Sequence, residues 1–305
     1  GSVRHAVITL LTPPTAGTVM LAKGSAVPPP FSGIAAETAV GFNFHHPDGT
    51  MTIEIALSIA AIEVRRWLSG PMVAERHLKT TVNGGKLKVE FHIRNYVDGT
   101  TTTDVIFDNC WMFAADKADL NYDVAINGAN VASGVNHYLY ATWHREVGPP
   151  RPTVQFDVPY LIATGAIPVY DISKGVSGAE IAASFNNLTP ESTGPLGTAN
   201  VQPGMPTTGG RPDIGPQPNW VAQWIVSQDE TARRTMMANA DAAGGIPWHF
   251  TDESTNAPIS KETYPKFWQD YRNTGPGSYW EPMPTNGWPV TGRNGNKWTP
   301  DSAHM

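Results

Sequence analysis

Between residues 51 and 126, apolar and polar side chains alternate in short runs, and turn-forming dipeptides stand between the runs. Few architectures other than antiparallel sheet accommodate that pattern. From Lys86 to Arg94, Leu87, Val89, Phe91 and Ile93 interleave with Lys88, Glu90 and His92. Successive side chains of a strand point to opposite sides, so this run predicts one buried face and one wet face. Met51, Ile53, Ile55, Leu57 and Ile59 form a second apolar row opposite Thr52, Glu54 and Ser58. Tyr122, Val124 and Ile126 repeat the pattern, as do Val154, Phe156 and Val158. The punctuation is Pro47-Asp48-Gly49, Asn83-Gly84-Gly85, Asp98-Gly99 and Asn127-Gly128. Asn-Gly and Asp-Gly accept the positive φ that tight hairpins require. Residues 1–160 are therefore expected to form an antiparallel β-sandwich or barrel.

The texture then changes. Residues 161–219 are dense in Gly, Pro, Thr and Asn, and Gly194 to Pro218 is poor in charge. An extended strap is expected there, with a short helix within Ile172 to Phe185. Residues 220–305 open with an αα-hairpin. Trp220, Val221, Trp224 and Ile225 share one face, Ser227 and Glu230 have capping-box spacing, and Ala232, Met236 and Ala240 mark a second apolar face before Gly244-Gly245. A Trp-rich irregular tail follows, and Trp298 to Met305 reads as a helix start. The expected fold class is thus mainly β, followed by an irregular Pro/Gly-rich segment and a helix pair.

Composition narrows the functional classes. Charged residues make up 16% and the formal net charge is −6, which gives no electrostatic reason to expect a nucleic-acid partner. No apolar run reaches the length of a membrane-spanning helix; the most apolar stretch, Ile53 to Ile62, is interrupted by Glu54 and Ser58. The single cysteine, Cys110, precludes an internal disulfide framework and is expected to be a buried structural thiol.

Each chemistry-bearing motif has a plainer competitor. His45-His46-Pro47-Asp48 suggests metal binding, but adjacent strand residues point apart, so a structural strand end is expected. His92, His137 and His144 lie in or beside predicted strands without helical metal-ligand spacing, which leaves a zinc site built from distant histidines as the minor alternative. Lys86 after Gly84-Gly85 is followed by Leu87 on a strand, which excludes a phosphate loop. Gly175-Val176-Ser177-Gly178 lacks nucleophile-elbow spacing and reads as a loop. No catalytic residue, metal site or cofactor is assigned from the sequence.

The chain holds 10 tryptophans, and acids stand among those of the tail. Sugar rings stack on aromatic faces, and glycosidases need paired carboxylates. Trp248, His249, Asp252, Glu253, Trp268 and Trp280 are therefore the candidate carbohydrate-binding residues. The competing expectation is that these tryptophans clamp an irregular tail onto the core.

The opening Gly1-Ser2-Val3-Arg4-His5-Ala6-Val7 resembles the interior of a segment found in bacterial and phage proteins with a RIFT-type β-barrel. The resemblance continues through Leu68-Ser69-Gly70-Pro71, His137 to His144, Met205 to Pro216 and Trp298 to His304. It implies a β N-terminal part preceding an α/α-toroid, a layout similar to that of exo-rhamnogalacturonan-lyase-like proteins. No lyase catalytic residue maps onto the chain. The resemblance implies the N-terminal portion of an extracytoplasmic protein that acts on or binds polysaccharide, with Gly1 inside a strand motif and Met305 at a helix start. The expected partners are a polysaccharide, the remainder of the parent polypeptide and a second copy in a homo-oligomer. The alternative is a virion or cell-surface assembly protein without catalytic activity. Either reading places the protein outside the cell, on its surface or on a virion.

Overall fold

The computed structural model describes residues 37–112, 119–139, 141–150, 153, 155–201, 215, 217–244, 250–252, 254–258, 260 and 262. Ten strands occupy the first part: β1 Ala39–His45, β2 Met51–Leu57, β3 Ile62–Ser69, β4 Val73–Val82, β5 Leu87–Tyr96, β6 Thr101–Asp108, β7 Trp111–Met112, β8 Leu120–Ile126, β9 Ala129–His137 and β10 Thr142–Val147. Nine of these described strands build a four-stranded sheet, β2-β1-β8-β9, and a five-stranded sheet, β10-β6-β5-β4-β3, and β7 joins neither. Every pairing within these two sheets is antiparallel. The chain is mainly β, as the alternation predicts.

The two sheets face each other across one core, in a sandwich-like arrangement. Phe42 of β1 meets Phe107 of β6 edge-on at 5.9 Å, and Phe107 stacks on Trp143 of β10 at 4.1 Å. Leu87, Val89, Phe91 and Ile93 are fully buried, so β5 supplies an unbroken inner row. Burying each such side chain stabilises the fold by about 1.5–3 kcal/mol. The hairpin turns behave as their dipeptides predict: Asn83 and Asn127 adopt φ of 54° and 50°, and Gly49, Gly99 and Gly128 are also positive.

Strand β2 reverses the expectation. Met51, Ile53 and Ile55 are 54%, 67% and 63% exposed, while Ala56 is buried. The register sets this: Ala56 pairs with Val40, Glu54 with Phe42 and Thr52 with Phe44, so the Thr-Glu-Ala row shares the inward side of β1. Phe42 and Phe44 stack at 5.2 Å and fill that side, leaving room for a small neighbour. Glu54 is not stranded, because its Oε2 accepts the backbone N–H of Asn83 at 2.8 Å. The strand ends at Leu57, and Ser58 begins a single 3₁₀ turn.

The outer face of β5 is also less wet than predicted. Lys88 is 1% exposed. Its Nζ lies 2.7 Å from Asp108 Oδ2 and donates to Thr251 Oγ1 at 2.6 Å. Thr251 belongs to β11, Thr251–Asp252, which runs parallel to β7 and antiparallel to β12, Ala257–Pro258. This small sheet covers one end of the outer face, a long-range event that strand alternation does not encode.

Val154 lies outside the described residues, Phe156 is not in a strand, and Val158 opens a helix. The helices are α1 Val158–Ala163, α2 Gly178–Asn186, α3 Pro190–Thr193, α4 Asn219–Ser227 and α5 Glu230–Gly244. Asp157 caps α1 by accepting the Tyr160 N–H at 3.0 Å, and Thr189 and Ser192 form a capping box on α3. The expected box between Ser227 and Glu230 does not form. Asp229 caps α5 instead, accepting the N–H groups of Thr231 and Ala232, and Glu230 pairs with Arg233. Gln228 makes the turn before it with φ 51°. Trp224 packs with Ile181 and Ala232, and Trp220 with Val201 and Ala242. The inward stripe of α5 is Ala232, Thr235, Asn239 and Ala242, whereas Ala240 is exposed. Helix α5 packs on α4, on α2 and on β10, which brings the helices against the edge of the five-stranded sheet.

Among the described residues, no helix is long and apolar enough to cross a membrane.

Candidate functional site

The titratable groups concentrate on the outer face of the five-stranded sheet. Antiparallel register lines up His77 of β4, His92 of β5, Asp104 of β6 and Glu146 of β10 in one cross-strand row. Lys79, Glu90, Ile106 and His144 form the adjacent row. Directly opposed residues on one face have Cβ atoms about 4.5–5.5 Å apart, so these rows bring side chains into contact.

The contacts follow. His77 Nε2 lies 2.6 Å from Glu90 Oε2, and the His77 and His92 rings approach to 4.4 Å between centroids. Burial pushes the Glu90 carboxyl up, but the hydrogen bond and charge of His77, together with Lys88 and Lys79, outweigh it and hold the group below the usual glutamate range. Burial and the neighbouring His77 lower the basicity of His92, against the pull of Glu90, Asp104 and Glu75. His92 has no hydrogen bond to a described residue, so its ring nitrogens are uncommitted among them. One donor atom from each of His77, Glu90 and His92 falls within 4.8 Å of the others.

The second cluster lies where β10 meets α5. His144 Nδ1 is 2.8 Å from Asp104 Oδ1, and Nε2 is 3.2 Å from the carbonyl oxygen of Asp241. With an acceptor on each nitrogen, the imidazolium form is favoured. The Asp104 hydrogen bond raises the His144 pKa against the cost of burial, with Asp241 adding to the effect. Beside this histidine opens a cleft of about 740 Å³ between β10, α5 and the segment 185–197. Its lining combines His144, Glu146 and Asp241 with Arg234, Phe185 and Leu196. The Arg234 guanidinium lies 4.7 Å over the Phe185 ring. Such a surface offers both hydrogen-bonding groups and an apolar wall.

Of the candidates expected from sequence, Asp252 alone is described. It is 4% exposed, and its Oδ1 accepts from the Ser254 N–H and hydroxyl at 2.8 and 2.7 Å, which closes the turn between β11 and β12. Trp248, His249, Glu253, Trp268 and Trp280 lie outside the described residues. His45 and His46 point apart as expected, to Asp123 and Thr52 respectively. Cys110 is buried, and burial raises its thiol pKa well above the ordinary value. His137 is fully buried in a hydrogen-bonded network and takes no part in either cluster.

The Glu90-x-His92 spacing was in plain view on the predicted wet face of β5. Its partner His77 was not, because pairing it with His92 requires the β4–β5 register. Comparison with protein families, with curated proteins and with solved structures finds no match for this chain.

Proposed function

We propose that the chain is part of an extracytoplasmic protein that acts on or binds polysaccharide, with the cleft between β10 and α5 as its saccharide-contacting surface. The observation that carries this reading is the lining of that cleft. Glu146, Asp241, His144 and Arg234 present charged hydrogen-bonding groups beside the apolar surfaces of Phe185 and Leu196. A pyranose ring needs that combination, since its edges are hydroxyls and its faces are C–H surface. The sequence resemblance points the same way; in that reading α4 and α5 form the hairpin that opens a helical toroid, and the sandwich supports it. The test is a glycan array probed with the full chain, followed by titration of any hit. Binding that falls at least tenfold in Arg234→Ala and in Asp241→Asn supports the reading. Failure to bind any glycan rejects it.

One observation favours an assembly role on a virion or cell surface. Met51, Ile53 and Ile55 of β2 and Ile62, Val64 and Trp67 of β3 are all at least 49% exposed, and both strands are sheet edges. Exposed apolar edges are a liability that proteins tolerate where a partner covers them. On this reading the protein forms symmetric oligomers in sedimentation experiments, and Ile53→Glu dissociates them. A monomer at all accessible concentrations rejects it.

A further inference from the structure

We propose that His77, Glu90 and His92 form a tridentate site for a borderline divalent cation, zinc being the best match, on the outer face of the five-stranded sheet. The donor set is two imidazole nitrogens and one carboxylate oxygen. Zinc takes that set in open sites, where three protein ligands leave a fourth position for water.

The sheet supplies the geometry. His92 stands two residues after Glu90 on β5, so both project from the same face, and His77 is the direct cross-strand partner of His92 on β4. A residue, its neighbour at i+2 and a residue on the adjoining strand make a triangle fixed by pleat and register. The strands bearing it are central enough to be rigid, since β4 and β5 are flanked by β3 and β6. The three donors already lie within 4.8 Å of one another. Ligand atoms of a tetrahedral zinc site sit about 3.3 Å apart, given bonds of about 2.0–2.1 Å. In the proposed site, movement of the three side chains closes that gap.

An ordinary hydrogen bond between His77 and Glu90 accounts for their 2.6 Å contact. It does not account for His92. That ring is partly buried, lies against a second imidazole at 4.4 Å, and has no hydrogen bond to a described residue. A metal ion binds both imidazole rings and the carboxylate at once. Partial exposure of all three ligands leaves the fourth position open to water.

The test is titration of the full chain, first stripped with a chelator, using zinc by calorimetry and cobalt by visible absorption. One equivalent of zinc is expected, with intense tetrahedral cobalt bands. Affinity is expected to fall at least ~10-fold in His92→Gln, in His77→Gln and in Glu90→Gln. Long-range imidazole NMR on the unmodified chain gives an independent readout should a variant fold poorly. Of the nine histidines, His77 and His92 are the two whose ring nitrogens should shift on zinc addition. Absence of zinc binding, binding that persists in the three variants, or shifts confined to other histidines would overturn the proposal.

Discussion

The Tyr122 hydroxyl donates to Nδ1 of His137 at 2.8 Å, deep between the two sheets. The direction is fixed by what surrounds the pair. Nε2 of His137 faces the Ala141 carbonyl at 2.8 Å, so Nε2 carries the proton and Nδ1 must accept. Trp143 Nε1–H in turn donates to the Tyr122 oxygen at 2.9 Å. A single chain of donors therefore runs Trp143, Tyr122, His137, Ala141, linking β8, β9 and β10 across the sandwich. Every member is buried, so each bond made here avoids the cost of an orphaned polar group.

That network makes folding pH-dependent. Burial pushes His137 from the ordinary histidine value of 6.5 down to about 4, against the bond to Ala141 and the charges of Asp108 and Asp119. Below 6.5 the unfolded chain takes up a proton that the folded chain refuses. Stability is therefore full above pH 6.5, falls as pH drops towards 4, and loses about 3 kcal/mol over that window from this residue. Urea unfolding at pH 7.5 and pH 4.5 measures it. Tyr122→Phe should cost about 1–3 kcal/mol at pH 7.5, because Trp143 Nε1–H and His137 Nδ1 both lose their partner.

His144 carries the opposite sign. The Asp104 hydrogen bond raises its pKa in the folded chain, so the stabilisation is full below the unfolded value of 6.5 and disappears as pH climbs through the raised folded value. NMR titration should show His144 losing its proton at a higher pH than an unperturbed histidine. In Asp104→Asn its midpoint should fall, while the His137 resonances stay unchanged.

The buried Lys88–Asp108 pair gives a third expectation. Lys88→Met leaves the Asp108 carboxylate, 12% exposed, without its counter-charge at 2.7 Å. Breaking a buried pair from one side costs about 3–5 kcal/mol. Asp108 also accepts the Cys110 N–H at 2.6 Å, so the second change must keep an acceptor there. Adding Asp108→Asn to Lys88→Met should recover about 1 kcal/mol or more of the loss in a double-mutant cycle.

Legibility from sequence follows the range of the interactions involved. Strand β5 was readable because both of its neighbours are strands and its inner row, Leu87 to Ile93, has no alternative place to go. The turns at Asn83 and Asn127 were readable because positive φ is a local demand on a residue type. Asp229 displaced Ser227 as the α5 cap because Gln228 turns the chain one residue later than the capping-box pattern assumes. Lys88 was misplaced because the strand that covers it lies 163 residues away. The donor triangle of His77, Glu90 and His92 was half visible, since two members share a strand and the third depends on register.

Strand β2 supplies the sharpest test of register over pattern. By alternation alone, Ile53 and Ile55 belong to the core and Ala56 to its margin. In the fold, Ile53 and Ile55 are 67% and 63% exposed and Ala56 is 3% exposed opposite Val40. Ile55→Thr removes little buried surface and keeps a β-branched residue, so its cost should stay within about 0.5 kcal/mol. Ala56→Leu pushes three further carbons towards the inner row of β1 and should cost about 1–3 kcal/mol by overpacking. Thermal unfolding of the two variants separates the alternatives, because a strand turned the other way would reverse the order of the two losses.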